Sequence, residues 1–155
     1  MTTLAGKAGT VGTADGTGLA ASFTELSGLT TDGTYLYVAD QQTVRKISIS
    51  TGTVTTLAGT AGVYGWADGI GTAALFGRIS DITTDGANLY VADSNNTIRK
   101  IVIASGAVTT LAGGSTGSTD GVGVSASFGY PSGITTDGAS LFITDTFNDT
   151  IRAIR

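Results

Sequence analysis

The sequence predicts an all-β fold made of short four-stranded sheets repeated three times, and three observations predict it. Thr-Thr-Leu-Ala-Gly occurs at residues 2–6, 55–59 and 109–113, and Thr-Thr-Asp-Gly at 30–33, 83–86 and 135–138. The 155-residue chain is therefore one domain of three repeats, approximately 1–53, 54–107 and 108–155. A run of β-branched and aromatic residues follows each Asp-Gly pair, as it would after a hairpin turn. Gly supplies 24 residues and charged residues only 13%, about half the roughly 25% of an ordinary soluble domain.

Each repeat reads as four strands in a fixed order. The Thr-Thr-Asp segment is a first strand ending at its Asp-Gly turn, and Leu36-Tyr37-Val38, Leu89-Tyr90-Val91 and Leu141-Phe142-Ile143 are second strands. Val44 to Ile49, Ile98 to Ile103 and Ile151 to Ile154 are third strands, mixing basic and apolar residues. Turns at Thr51-Gly52 and Ser105-Gly106 lead to fourth strands, Val54 to Ala58 and Val108 to Ala112. A long connection follows, in which Leu19-Ala20-Ala21-Ser22-Phe23 and its copies are the only segments compatible with a helical turn.

Four short strands at this period describe β-propeller blades, whose two faces are apolar because each packs on two neighbours. The Thr-Thr-Asp strand is innermost and the Val-Thr-Thr-Leu-Ala strand outermost. The chain opens on an outermost strand, Thr2 to Ala5, and stops after a third strand, so three blades are expected with one edge unfilled. Propellers close with four to eight blades. The expectation is therefore a homodimer, a six-bladed ring in which Thr2 to Ala5 of each chain completes the last blade of the other. A segment of a longer bacterial repeat protein, or an engineered chain, is the alternative.

The run Gly133-Ile134-Thr135-Thr136-Asp137-Gly138, then Leu141-Phe142-Ile143-Thr144-Asp145, then Asn148 to Ile151-Arg152, resembles the NHL repeat family. So does Asp81-Ile82 through Tyr90-Val91-Ala92-Asp93 and Asn96-Thr97-Ile98-Arg99-Lys100-Ile101. The resemblance covers nearly the whole chain and departs from the family in its longer connections. It implies a propeller, six-bladed in most relatives, serving as a scaffold for protein binding or, in some, as a metal-dependent lyase or hydrolase.

Composition narrows the chemistry. The chain has no His and no Cys, which removes thiol nucleophiles, disulfides, His-based proton relays and Cys/His zinc sites. With 8 basic and 12 acidic residues, net −4 and no basic cluster, nucleic acid is not an expected partner. No apolar run reaches the roughly 18 residues of a membrane span, and Met1 does not begin a signal-like segment, so a soluble chain of unassigned compartment is expected. The Asn95-Asn96-Thr97 and Asn148-Asp149-Thr150 sequons are read as chance matches.

Features present in triplicate read as structural. Gly16 to Ala21, Gly69 to Ala74 and Gly121 to Ala126 match a dinucleotide-binding fingerprint only in letters, without its strand-to-helix context. Asp15, Asp68 and Asp120 are expected to cap turns; Phe23, Phe76 and Phe128 to wedge between blades; and Asp40, Asp93 and Asp145 to pair with Arg45, Arg99 and Arg152 from blade to blade. Positions where the copies differ are the binding candidates. Glu25, Arg78 and Tyr130 precede the innermost strands, Asp81 replaces Gly28 and Gly133, and Phe147 lies in a variable loop. With Trp66, the single Trp, they form an expected ligand site at the channel mouth, for a peptide, a glycan or a small molecule. No catalytic residue is assigned. Asp81 is the candidate ligand for Ca2+ or Mg2+: doubled across a dimer channel, with Glu25 doubled as well, it would give four carboxylates, and the enzyme alternative rests on this site.

Overall fold

The computed structural model describes Met1–Arg155 as three antiparallel sheets with short 3-10 turns and no α-helix. The first sheet holds β1 (Gly16–Thr17), β2 (Leu26–Thr31), β3 (Tyr35–Asp40), β4 (Thr43–Ser48) and β5 (Thr53–Ala58), in the order β1-β5-β4-β3-β2. The second holds β6 (Gly69–Ile70), β7 (Ile79–Thr84), β8 (Asn88–Asp93), β9 (Thr97–Val102) and β10 (Ala107–Gly113), in the order β6-β10-β9-β8-β7. The third has three strands, β11 (Pro131–Thr136), β12 (Leu141–Asp145) and β13 (Thr150–Ile154).

The order of strands within each sheet follows the sequence reading. Asp85 shows why the hairpins form: its Oδ1 accepts from the Ala87 and Asn88 amides, and Gly86 takes φ +92 to complete the turn. The two-residue strands β1 and β6 were not expected, since Gly-Thr and Gly-Ile carry no alternating pattern. They form because each long connection lies along the outer edge of the sheet that follows it, pairing Gly16 with Val54 and Gly69 with Val108. Three of the four 3-10 turns, Gly18–Ala20, Gly71–Ala73 and Gly123–Ser125, fall within or beside the expected helical turns; the fourth, Thr146–Asn148, lies in the β12–β13 loop, where none was expected.

Thr2 to Ala5 is not a strand within this chain, because no strand lies beside it to accept its backbone hydrogen bonds. It nevertheless sits where an outermost strand sits. The Gly6 amide donates to the Gly18 carbonyl at 3.0 Å, as Gly59 at the end of β5 donates to Gly71 at 3.1 Å.

The sheets stack through their innermost strands and the Phe residues. Phe76 is fully buried in one cluster with Tyr37, Ala39, Val44 and Ala58 of the first sheet and Ile79, Ile82 and Leu89 of the second. Phe128 joins Ala92, Ile98 and Ala112 to Ile134, Leu141 and Ile143 of the third. Phe76 and Phe128 are inter-sheet wedges, as expected; Phe23, expected to be a third, packs only on its own sheet, against the cluster of Ala21, Val38, Ile47 and Val54. The outer faces of the stack are uncovered: Leu26 and Leu29 are 56% and 66% exposed, whereas their counterparts Ile79 and Ile82 are buried. At the other end Ile151 is 71% exposed, whereas Ile98 and Val44 are buried. No helix is long and apolar enough to cross a membrane.

Candidate functional site

Every innermost strand begins at the same end of the stack, and the backbone there is fastened by the Asp that ends the second strand. Asp40 Oδ1 accepts from the Thr24 and Glu25 amides at 2.8 Å, Asp93 from Gly77 at 3.0 Å and Asp145 from Gly129 at 2.6 Å. The three residues that follow this fastening differ in chemistry. Glu25 and Arg78, from adjacent sheets, form an ion pair with both side chains about half exposed. Tyr130 stacks on Phe147, ring centroids 5.2 Å apart and 17° between planes, and its amide donates to Asn96 Oδ1 at 2.8 Å. The rim thus carries a charged pair on one side and an aromatic pair on the other.

Asp40, Asp93 and Asp145 do not pair with arginines between blades, as the spacing suggested. Each pairs with the Arg of its own sheet: Arg45–Asp40 and Arg152–Asp145 at 2.9 Å, Arg99–Asp93 at 3.5 Å. Asp15, Asp68 and Asp120 are not turn caps but second partners of these same arginines, each at 2.8 Å. Each guanidinium also donates to two carbonyls of the long connection, such as Ala67 and Leu75 at 3.0 Å for Arg99. It lies 5.0 to 5.2 Å from the centroid of Phe23, Phe76 or Phe128. The planar fork suits this bolt, which fixes the connection to its sheet. Burial raises the Asp93 carboxyl above its ordinary value, against the amides of Asn95 and Gly77 and the Arg99 charge.

Asp81 has a positioning geometry. A bulge between Ile79 and Asp81 shifts the register of β7, and comparable shifts occur in β2 and β11. Its Oδ2 accepts from the Ile134 amide of the third sheet at 3.0 Å and its Oδ1 from the Ile82 amide at 2.9 Å. On the other side, a Cβ at Gly28 of the first sheet would stand 2.3 Å from Asp81 Oδ1. One carboxylate therefore sits at the meeting point of three sheets. No group of three or more His, Cys, Asp or Glu side chains is assembled anywhere in the chain.

Trp66 lies apart from these rim residues, 74% exposed, over a cleft of about 730 Å3. The cleft is lined by the β8–β9 loop Ser94-Asn95-Asn96, by Asp68 of the preceding connection and by Gly114-Ser115 of the next. Ser94 ties the two places together, since its hydroxyl accepts from the Arg78 amide at 2.8 Å. The divergent loop was legible in the sequence; the participation of Asp68, Thr97 and Ser115 was not, because they come together only when two connections and a loop fold side by side.

A groove of about 590 Å3 runs along the free edge of β13, lined by Ile151 to Arg155 on one side and Asp120 to Gly123 on the other. In the first two sheets this place is occupied by β5 and β10.

No family model matches the sequence, and no curated protein matches it. Solved structures do. An auxiliary nutrient-binding protein from Bacteroides thetaiotaomicron superimposes with a TM-score of 0.73 and 25% identity, over 88% of this chain and 38% of that one. A structural-genomics protein of unknown function from the same organism gives 0.69 and 29%, over 77% and 32%. An auxiliary nutrient-binding protein from Bacteroides ovatus gives 0.69 and 24%, over 79% and 35%. The chain spans about a third of the length of these structures. The architecture is that of a β-propeller-like protein.

Proposed function

We propose that this chain is a non-enzymatic binding module whose three sheets are NHL-like blades, and that two copies close a six-bladed ring with the ligand face at the rim. The observation that carries the ring is complementarity between the two open ends. Leu26 and Leu29 present to solvent the face that Ile79 and Ile82 bury, and Ile151 presents the face that Ile98 buries. A second copy docked on the third sheet as the second sheet docks on the first covers both. The same docking brings the partner copy's segment 2–6 to the groove beside β13, where an outermost strand is wanted.

The binding role is supported by the auxiliary nutrient-binding protein that is 25% identical to this chain. It is also supported by chemistry: without His or Cys there is no imidazole base and no thiol nucleophile, and Asp81 is held by two backbone amides. The test is a melting curve with chelator, Ca2+ or Mg2+, beside a mass measurement on Leu29→Asp. Indifference to the cation, and loss of self-association in Leu29→Asp, are expected. A cation-dependent rise in melting temperature that Asp81→Asn abolishes would instead favour a carboxylate metal site and the enzyme reading.

A further inference from the structure

The Trp66 cleft is built only in the second repeat. Thr13 and Ser118 stand in place of Trp66 in the other two. In the first repeat Gln42 is turned inward, 1% exposed, with its Oε1 accepting from the Gly62 amide at 3.2 Å. The second repeat has one more residue in this loop, and its polar groups face the cleft instead. Trp66 and Val124 are the only apolar residues of the lining. A large exposed aromatic face over a polar cleft has no packing role to explain it.

Several hydrogen-bonding groups there remain free. Asn95 uses its Nδ2 to donate to the Gly65 carbonyl at 2.8 Å, which leaves its Oδ1 as an acceptor. Ser115 is exposed and its hydroxyl has no partner in the protein. Thr97 is the most telling residue. It lines the cleft, is 4% exposed, and its hydroxyl is buried without a partner. Its counterpart Thr43 donates to the Asp40 carbonyl at 2.9 Å. A buried hydroxyl left unpaired is costly unless a ligand or water completes it.

The charge of the cleft selects the ligand further. Asp68 is half exposed and, although burial opposes its ionisation, hydrogen bonds from Thr110 and Arg99 hold its carboxyl below the ordinary range. No Lys or Arg lines the cleft, Arg99 being fully buried and committed to Asp68, Asp93 and the connection. An anionic ligand would meet a carboxylate and no counter-charge. A planar π-face with neutral donors and acceptors around it matches a sugar ring, whose C–H face stacks on the aromatic while its hydroxyls pair with the surrounding polar groups. The volume, about 730 Å3, lies within the roughly 300–1,000 Å3 of small-molecule sites.

We infer that the Trp66 cleft is a binding site for a neutral saccharide. The inference rests on reading the chain as a binding module, and names both a ligand class and a location beside the Tyr130–Phe147 rim, joined to it through Asn96. Because Trp66 is the single Trp, fluorescence excited selectively at Trp, and not at the five Tyr, reports on this cleft. The probes are neutral trisaccharides (maltotriose, cellotriose, xylotriose and mannotriose), with a trigalacturonate as the anionic control. A saturable change in Trp emission with at least one neutral trisaccharide and none with trigalacturonate is expected. Calorimetry on Trp66→Ala should then show affinity reduced by about ten-fold or more, with Trp66→Phe retaining part of it and Asn95→Ala falling between. An unchanged melting temperature in each variant shows that folding is not the cause. Absence of saturable change with every neutral probe, or binding of the anionic one alone, overturns the inference. Calorimetric binding that survives Trp66→Ala and is lost in Tyr130→Ala also overturns it while leaving the binding-module reading intact.

Discussion

The second and third sheets are built from nearly the same residues, yet one is closed and the other open. Ile98 and Arg99 are fully buried in the second sheet, and their counterparts Ile151 and Arg152 are 71% and 13% exposed in the third. Gly69–Ile70 forms a strand against β10, while the matching Gly121–Val122 does not, because the third sheet has no strand outside β13 for it to pair with. The difference teaches that a residue's role here is set by whether a neighbouring sheet is present. In the second sheet Ile98 is core; in the third, Ile151 faces solvent.

Substitutions can break that comparison. The largest effect is expected for Phe76→Ala, which empties the fully buried wedge between the first two sheets and should cost about 3–5 kcal/mol in chemical denaturation. Ile98→Ala should cost roughly 2–5 kcal/mol at any protein concentration. Ile151→Ala should fall within about 0.5 kcal/mol when the chain is dilute and rise towards the Ile98 value as concentration closes the ring. A concentration-independent Ile151→Ala would remove the link between exposure and docking.

Asp81→Ala should cost about 1–3 kcal/mol, since it leaves the Ile82 and Ile134 amides without their acceptor. The effect should be mirrored by earlier hydrogen exchange at Ile134 than at Ile82's neighbours in β7, because only Ile134 belongs to the sheet being released.

The smallest effect is electrostatic and separates the hairpin turn from the buried bolt. Burial opposes ionisation of Asp85, but hydrogen bonds from Asn88, Tyr90 and Ala87 outweigh it and hold the carboxyl at about 2, below its ordinary 3.8. Its contribution to stability is therefore complete above 3.8 and is lost as pH falls from there through about 2. Asp85→Asn should flatten that acid limb of a pH–stability curve by a fraction of a kcal/mol, the site being largely exposed. Asp93, whose carboxyl is raised by burial, has the opposite sign, its ionisation weakening the fold as pH rises above the ordinary carboxylate range.

Most of the fold was legible because triplication turns weak signals into strong ones: Asp-Gly turns, apolar strand runs and the Phe wedges each recur at the same place. The arginine bolts were half legible. The Asp–Arg spacing was visible, but not that Asp15, Asp68 and Asp120 would be the second partners, since the connection returns to its own sheet only in three dimensions. Of the expected rim residues, the structure brings Glu25 to Arg78 and Tyr130 to Phe147, gives Asp81 to backbone amides, and sets Trp66 over a separate cleft. A one-dimensional alignment of repeats shows where copies differ, not which differences face one another.

Closure of the ring requires that the two open ends fit each other. Light scattering on a size-exclusion column tests it most directly. A mass near twice 15.4 kDa is expected. A mass of 15.4 kDa at every concentration tested would contradict it, and would leave Leu26, Leu29 and Ile151 as exposed apolar residues with no partner in a second copy.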